Sequence, residues 1–376
     1  SQECKDLGIP MGTPFFQLEP RLAQCGLILK SSNYELYGDI SRRMIAALGE
    51  FAPEVEQYSI DEAFIHVTPP SGTDLFDCGC RIRQTLLKWI GIPCGIGFAP
   101  SKTLAKIANH IGKRQPSGVF VMPEDPRPVL ETLPAGEVWG VGRRLAPKLA
   151  ALGIRTAWQL ASADSAFLRR RFNVTLARTA LELRGHSLIG QENPDEPSKS
   201  ISCSRSFGRP VIELKELAEA VACYTARAAE KLRRERQLAA GANVYCQYYP
   251  EYVPAALPGG VSGTTVMFRT PTSDTPEMLR AIHPKLRGVF HEGRRYKKAG
   301  VIFFGLEAAG NRQPDLFSGT AEREERLSEA VDAINRSFGR GSIFLLAEGV
   351  EKPWAMKREM LSPSYTTNWD QLLAVK

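Results

Sequence analysis

Tyr58-Ser59-Ile60-Asp61-Glu62-Ala63-Phe64 sets two adjacent carboxylates inside an apolar, β-prone run that continues to Ile65 and Val67. Charge in such a run is costly unless it is paired, coordinated or turned out to water. Two carboxylates about 4 Å apart repel by roughly 4 kcal/mol at an effective dielectric near 20. A divalent cation removes that penalty, and hard oxygen ligands select Mg²⁺ or Mn²⁺ over Zn²⁺. Neighbours on a regular strand face opposite sides, so both side chains can serve one site only at a hairpin turn or an irregularity. Taken alone, these residues fit a plain hairpin turn more readily than a metal site.

Working outward, the apolar stripe Ile40, Met44, Ala47, Leu48 and Phe51 predicts a helix over residues 34–51. The hairpin follows at 55–67, then a helix at 75–89, a strand at 94–98 and a helix at 101–112. Two helices flanking a small antiparallel sheet would make an α+β layer. Residues up to 32 read as short and helical, with a turn at Gly8-Ile9-Pro10-Met11-Gly12. Residues 125–187 read as entirely helical, and the polar run 191–199 reads as a linker. Residues 200–306 read strand, helix, strand, strand, helix, strand, the ferredoxin-like order. A tail with one helix near 321–337 completes the chain. The segments are therefore 1–32, 33–124, 125–190, 191–199, 200–306 and 307–376.

Bulk properties narrow the class. At 376 residues the chain is too long for one core, since domains run about 100–200 residues. No run of about 18 apolar residues is present, so no membrane span is expected. Ser1-Gln2-Glu3-Cys4-Lys5 has no apolar core and is not a signal peptide. The eight cysteines are scattered, and Cys78-Gly79-Cys80 alone does not supply a four-ligand zinc site. Free thiols in a reducing cytoplasm are expected.

The net charge of +7 suggests an anionic partner. Between Ile201 and Phe304, sixteen Lys and Arg stand against nine Asp and Glu, so this stretch carries the imbalance. Lys231, Arg233, Arg234 and Arg236 end one helix, where the helix dipole also favours cations. Arg294, Arg295, Lys297 and Lys298 form a second cluster, and Arg205 and Arg269 fall in strands. Val138-Trp139-Gly140-Val141-Gly142 joins two helical stretches and is followed by Arg143 and Arg144. Glycines there let backbone N–H groups approach a phosphate, and the next helix N-terminus favours an anion. Leu145, Leu149 and Leu152 are expected in the core, with Gly153 capping the helix.

Five ordered segments carry a family resemblance. The hairpin resembles the second metal-binding motif of the Y-family, or lesion-bypass, DNA polymerases. Asn33-Tyr-Glu-Leu-Tyr37 precedes it and Ser101-Lys-Thr-Leu-Ala-Lys-Ile-Ala-Asn109 follows it. Val138-Trp-Gly-Val-Gly-Arg-Arg144 resembles the family's thumb hairpin, and Ser202-Cys-Ser-Arg-Ser-Phe-Gly208 the start of its little finger. Met356-Lys-Arg-Glu-Met-Leu-Ser-Pro-Ser-Tyr-Thr-Thr367 is similar to the tail of the UmuC-type branch, the catalytic subunits of bacterial DNA polymerase V.

The resemblance implies an α+β multidomain polymerase hand. Residues 1–32 would be fingers, 33–124 palm, 125–190 a helix-hairpin-helix thumb and 200–306 a βαββαβ little finger. The implied activity is error-prone translesion DNA synthesis in DNA repair and the SOS response. A strand bearing the first catalytic Asp and a sugar-gating aromatic residue is expected to precede Ser1. Asp61 would bridge two Mg²⁺ ions, with Mn²⁺ able to substitute, and Glu62 would bind the ion at the primer end.

Lys5 and Lys113 match triphosphate-binding positions, although without the family each reads as a solvated surface lysine. Gly140, Gly142, Arg143, Arg144, Arg205 and Arg269 would contact primer-template DNA. Gln313-Pro-Asp-Leu-Phe317 is similar to a sliding-clamp-binding peptide, with Gln313, Leu316 and Phe317 as anchors. A UmuD′-like dimer and a RecA filament are the further partners the resemblance implies. A nucleotidyl cyclase on a similar palm is one alternative. A non-catalytic DNA- and clamp-binding remnant, if the chain begins at Ser1, is the other.

Overall fold

Asn33 opens the first long helix by accepting the Leu36 N–H on its side chain at 3.2 Å, which satisfies a donor the helix cannot use internally. The computed structural model describes residues 2–15, 17–18, 25–68, 72–190, 196–250, 260–311 and 321–374. These fall into two compact units, 1–194 with 360–376, and 195–359.

The first unit starts with α1 (Gln2–Asp6) and α2 (Tyr34–Leu48). Helix α2 stops three residues short of Phe51 because Gly49 and Phe51 donate into the last turn. Strands β1 (Val55–Gln57) and β2 (Ala63–Ile65) form the expected antiparallel hairpin. Helix α3 (Leu75–Ile90) ends at Gly91, whose φ of 80° is the left-handed conformation glycine adopts without penalty.

Strand β3 (Ile96–Phe98), helix α4 (Lys102–Gly112) and strand β4 (Val119–Val121) form a parallel crossover unit. Strand β4 was not anticipated. A three-residue run between Gly118 and Pro123 is too short to show alternation. The expected single antiparallel sheet is therefore two separate pairs, one antiparallel and one parallel.

Short helices follow: α5 (Arg127–Thr132), α6 (Ala146–Ala150), α7 (Ala157–Ser162), α8 (Ser165–Arg171) and α9 (Val174–Glu182). Their inward residues, among them Leu130, Leu149, Leu160, Leu168 and Leu183, share one core with Leu104 and Ile107 of α4. Leu152, expected in that core, is instead exposed, because the helix ends at Ala150 and the chain is already leaving it before the turn at Gly153, where φ is 81°.

The end of the chain returns to this unit. Ser31 N–H donates to the Met360 carbonyl at 2.8 Å, and Asn33 Nδ2 donates to the Ser362 carbonyl at 3.1 Å.

The second unit contains β5 (Ile201–Val211), α10 (Leu214–Arg234), β6 (Gln237–Tyr248), β7 (Val261–Thr272), α11 (Thr275–Ile282), α12 (Leu286–Val289) and β8 (Tyr296–Ala308). The βαββαβ order is as read. The sheet runs β5-β8-β6-β7, with the second and fourth strands central, whereas a ferredoxin-like sheet centres the first and third. All neighbours are antiparallel. Cys203, Val244, Val266 and Val301 point to the helix-covered face and are buried.

Helix α13 (Ala321–Phe338) packs on this unit through Ser328, which donates to Asp274 Oδ1 at 3.0 Å. Trp354 then plugs in beside Phe207 and Tyr224. All eight cysteines are free thiols. Among the described residues, no helix is long and apolar enough to cross a membrane.

Candidate active site

The hairpin register pairs Gln57 with Ala63, which leaves residues 58–62 as its loop. Tyr58 and Ser59 both donate their N–H groups to the Glu62 carbonyl, each at 3.0 Å. Ser59 Oγ donates to Asp61 Oδ1 at 2.7 Å and accepts the Asp61 N–H at 3.3 Å. Asp61 is exposed and Glu62 is half-buried. Both carboxylates therefore lie in the turn itself, where strand alternation no longer separates them.

Helix α4 supplies what the sequence reading missed. Lys106 Nζ lies 3.1 Å from Glu62 Oε2. The same ammonium sits 4.2 Å from the Tyr58 ring centroid and 5.1 Å from that of Trp139. Trp139 Nε1–H donates to the Tyr58 hydroxyl at 3.0 Å. One turn earlier, Lys102 pairs with Glu56 at 2.7 Å and donates to the Gly190 carbonyl at 2.7 Å. The signal was available: Lys102, Lys106, Asn109 and Lys113 recur at helical spacing and form one stripe.

Asp61, Glu62, Lys106, Lys113 and Trp139 all line one cavity of about 1640 Å³, whose apolar wall includes Met44 and Ile82. Lys113 follows α4 as its cap residue, with its side chain close over Gly95. Helix α4 is held at its start by Glu182. This buried carboxylate accepts N–H groups from Thr103 at 2.9 Å, Leu188 at 2.8 Å and Ile189 at 2.9 Å. Ser101 Oγ donates to the Glu182 carbonyl at 2.6 Å.

As metal donors, the loop offers two hard carboxylates, one exposed and one held by an ammonium. That chemistry fits Mg²⁺ or Mn²⁺ and not a thiophilic ion. Among the described residues, no group of three or more His, Cys, Asp or Glu side chains forms a ready metal cage. Asp61 and Glu62 alone would supply only part of a coordination sphere.

A model of the impB/mucB/samB family matches residues 1–110, and the model of that family's C-terminal domain matches 198–316. The protein UmuC of Salmonella typhimurium is 42% identical over 389 residues, covering 100% of this chain and 90% of that protein. The chain belongs to the impB/mucB/samB family of Y-family polymerases. SamB of Salmonella typhimurium is 40% identical over 100% of this chain and 90% of its own length. DNA polymerase IV 1 of Bacillus subtilis is 30% identical over 90% of this chain and 80% of its own length. A solved Y-family DNA polymerase chimera of Dbh and Dpo4 shares the fold, with a TM-score of 0.64 and 21% identity, covering 82% of this chain and 86% of that chain. A domain of unknown function, DUF4113, matches residues 325–375. Y-family polymerases are metal-dependent nucleotidyltransferases.

The two impB/mucB/samB matches take in some of the expected site residues and not others. Asp61, Glu62 and Lys106 lie in the first match. Lys5 is in it too, exposed on α1 and outside the cavity wall that holds Lys113. Gly140, Gly142, Arg143 and Arg144 lie between the two matches and are exposed together, with Val141 buried beneath them. Gly140 has a φ of 84°. The helix that follows has only five residues, so any anion there would rest on the loop and the arginines more than on a helix dipole.

Arg205 and Arg269 are both exposed, but they lie on opposite faces of the sheet. Arg205 pairs in register with buried Ala299 on the helix side, whereas Arg269 alternates with buried Phe268 and lies on the open side. Arg233, read from sequence as part of a basic cluster, is a structural residue. It pairs with Asp332 at 2.6 Å and donates to the Ser273 carbonyl at 2.7 Å. Gln313, Leu316 and Phe317 lie outside the described residues.

Proposed function

We infer that this chain carries out error-prone, template-directed DNA synthesis across lesions, as a UmuC-type catalytic polypeptide. The observation that carries this reading is the hairpin loop that brings Asp61 and Glu62 to one cavity wall with Lys106 and Lys113. Asp61 and Glu62 would hold Mg²⁺, Asp61 as the ligand common to the ions and Glu62 on the primer side. When bound, such ions activate a hydroxyl nucleophile and neutralise a leaving pyrophosphate. Lys113, and Lys5 from α1, attract the triphosphate of the incoming deoxynucleotide.

Exposed Gly140 to Arg144 and the open sheet face with Arg269 grip the primer-template backbone. Such contacts position DNA without reading its sequence, which suits an enzyme that takes its sequence from a template. Arg205 would meet DNA only from the other side of the sheet. Gln313, Leu316 and Phe317 dock the sliding clamp, and a UmuD′-like dimer and a RecA filament are the further partners. The setting is the bacterial cytoplasm, at the nucleoid during repair. Kinship along the whole chain favours this reading over a cyclase or a non-catalytic remnant.

The test is Mg²⁺-dependent primer extension by the full-length protein. Asp61→Ala and Glu62→Ala should each lower the rate by about a thousandfold or more, the scale of losing transition-state charge stabilisation. Near-normal extension by either variant would remove the assignment.

A further inference from the structure

Glu62 does not face the cavity alone, and the group that holds it is itself held. We propose that Lys106 is a positioning residue for Glu62, and that Trp139 of the thumb hairpin fixes Lys106 in place. The catalytic carboxylate and the DNA-gripping hairpin are then parts of one assembly. This rests on the reading of Glu62 as a metal ligand.

A surface lysine has a long stem and many rotamers, and an exposed ion pair alone seldom holds it. Lys106 differs from that case in three observed ways. Its ammonium lies against Tyr58 at 4.2 Å and Trp139 at 5.1 Å, so two aromatic rings attract the cation through their quadrupoles. The rings are themselves locked, edge to face at 5.3 Å, with the indole N–H donating to the phenol oxygen at 3.0 Å. Phe64 backs both, 5.8 Å from Tyr58 and 5.9 Å from Trp139. The carboxylate of Glu62, 3.1 Å away, completes the surroundings of the ammonium.

Lys106 acts on Glu62 in two opposing ways. It points the carboxylate, which helps whatever Glu62 must orient. It also places a positive charge beside a cation site, which weakens cation binding. A side chain that only stabilised the fold would not separate these effects. Trp139 connects the cage to DNA, because the next residues, Gly140 to Arg144, are the exposed loop of the thumb hairpin. Phosphate engaged there bears on the same short segment that holds the lysine.

The experiment compares Lys106→Met, Lys106→Arg and Trp139→Leu with the unaltered full-length protein. Two quantities are read: the affinity for Mn²⁺ without DNA, by electron paramagnetic resonance, and kcat and KM for nucleotide in primer extension. Lys106→Met should lower kcat about thirtyfold, as a misplaced ligand does, with KM for nucleotide nearly unchanged. Its Mn²⁺ affinity should rise about threefold, because a repelling charge has gone. Lys106→Arg should restore kcat to within about threefold, since charge and reach survive. Trp139→Leu should lower kcat about tenfold with Mn²⁺ affinity unchanged.

Mn²⁺ affinity falling in parallel with kcat in Lys106→Met, or a kcat within twofold of normal, would overturn the proposal. Should Lys106→Met fail to fold, Trp139→Leu decides it: a kcat within twofold of normal, or Mn²⁺ affinity falling in parallel with kcat, overturns the proposal. An Asp61→Ala control that still extends primers would instead defeat the reading of the site, independently of Lys106.

Discussion

Gly97 lies at the centre of β3, and the placement of the whole lysine stripe depends on its lack of a side chain. A Cβ added there would meet Asn109 N at 2.1 Å, Ala105 O at 2.5 Å and Ala108 C at 2.6 Å. All three atoms are backbone of α4, so no side-chain rotation can relieve the clash. Ordinary van der Waals contact begins near 3.4 Å, so the nearest atom must retreat by about 1.3 Å, the difference between 3.4 and 2.1. Overpacking of this kind costs about 1–3 kcal/mol, and a rigid helix puts Gly97→Ala at the upper end. Lower entropy of the unfolded chain returns up to about 1 kcal/mol. The net loss of about 2 kcal/mol should lower Tm by about 4–8 °C for a unit of this size.

The same shift separates Lys106 from Glu62, now 3.1 Å apart, and Lys102 from Glu56, now 2.7 Å apart. At 25 °C, where the variant is still folded, primer extension should fall by about tenfold or more. Differential scanning calorimetry and steady-state extension on the same sample check both effects. An unchanged Tm with unchanged extension would refute the reasoning, because it would mean that α4 does not need this close approach.

Glu182→Gln should destabilise the first unit by about 2 kcal/mol, because an amide NH₂ would have to face one of the three backbone N–H donors the carboxylate accepts; a melting temperature equal to that of the unaltered protein would show that the carboxylate is not needed there. The second unit should lose stability in alkali. Burial pushes the Cys246 thiol up to about 12, and burial also raises Cys223, Tyr224 and Tyr296. Unfolded thiols ionise from their ordinary value of 9.0, so between pH 9 and 12 the unfolded state binds fewer protons and stability falls as pH rises. Cys246 alone should cost about 2 kcal/mol at pH 10.5, and Cys246→Ala should flatten the fall of Tm between pH 8 and 10.5. An equally steep fall in that variant would assign the alkaline loss to other groups.

Much of the local structure could be read from the residues because local chemistry decides it. The apolar stripe that opens at residue 34 and the run around Asp61-Glu62 each fix an element without reference to distant chain. What escaped depends on partners. Lys106 showed a helical face but not that Glu62 lay across from it, 44 residues away. Arg233 looked like a cation for DNA until Asp332, 99 residues on, appeared against it. Strand β4 had too few residues to show a period, and the order β5-β8-β6-β7 is a matter of which edge each strand finds. The return of Met360 to Ser31 joins residues 329 apart and leaves no periodic trace.

Two adjacent carboxylates of like charge have been given unlike surroundings, and this bears on how the site survives before any cation arrives. Two carboxylates 4 Å apart would repel by about 4 kcal/mol at a dielectric near 20, and an ammonium at a similar distance offsets a term of the same size. Lys106 supplies that offset to Glu62 alone. Asp61 is relieved differently, by exposure to water and by the Ser59 hydroxyl at 2.7 Å. The loop can therefore seat both side chains without metal. On the proposed reading of the loop as a metal site, a cation would meet Asp61 solvated and Glu62 already pointed by its lysine. Each carboxylate is thus eased by a different neighbour, Ser59 for Asp61 and Lys106 for Glu62.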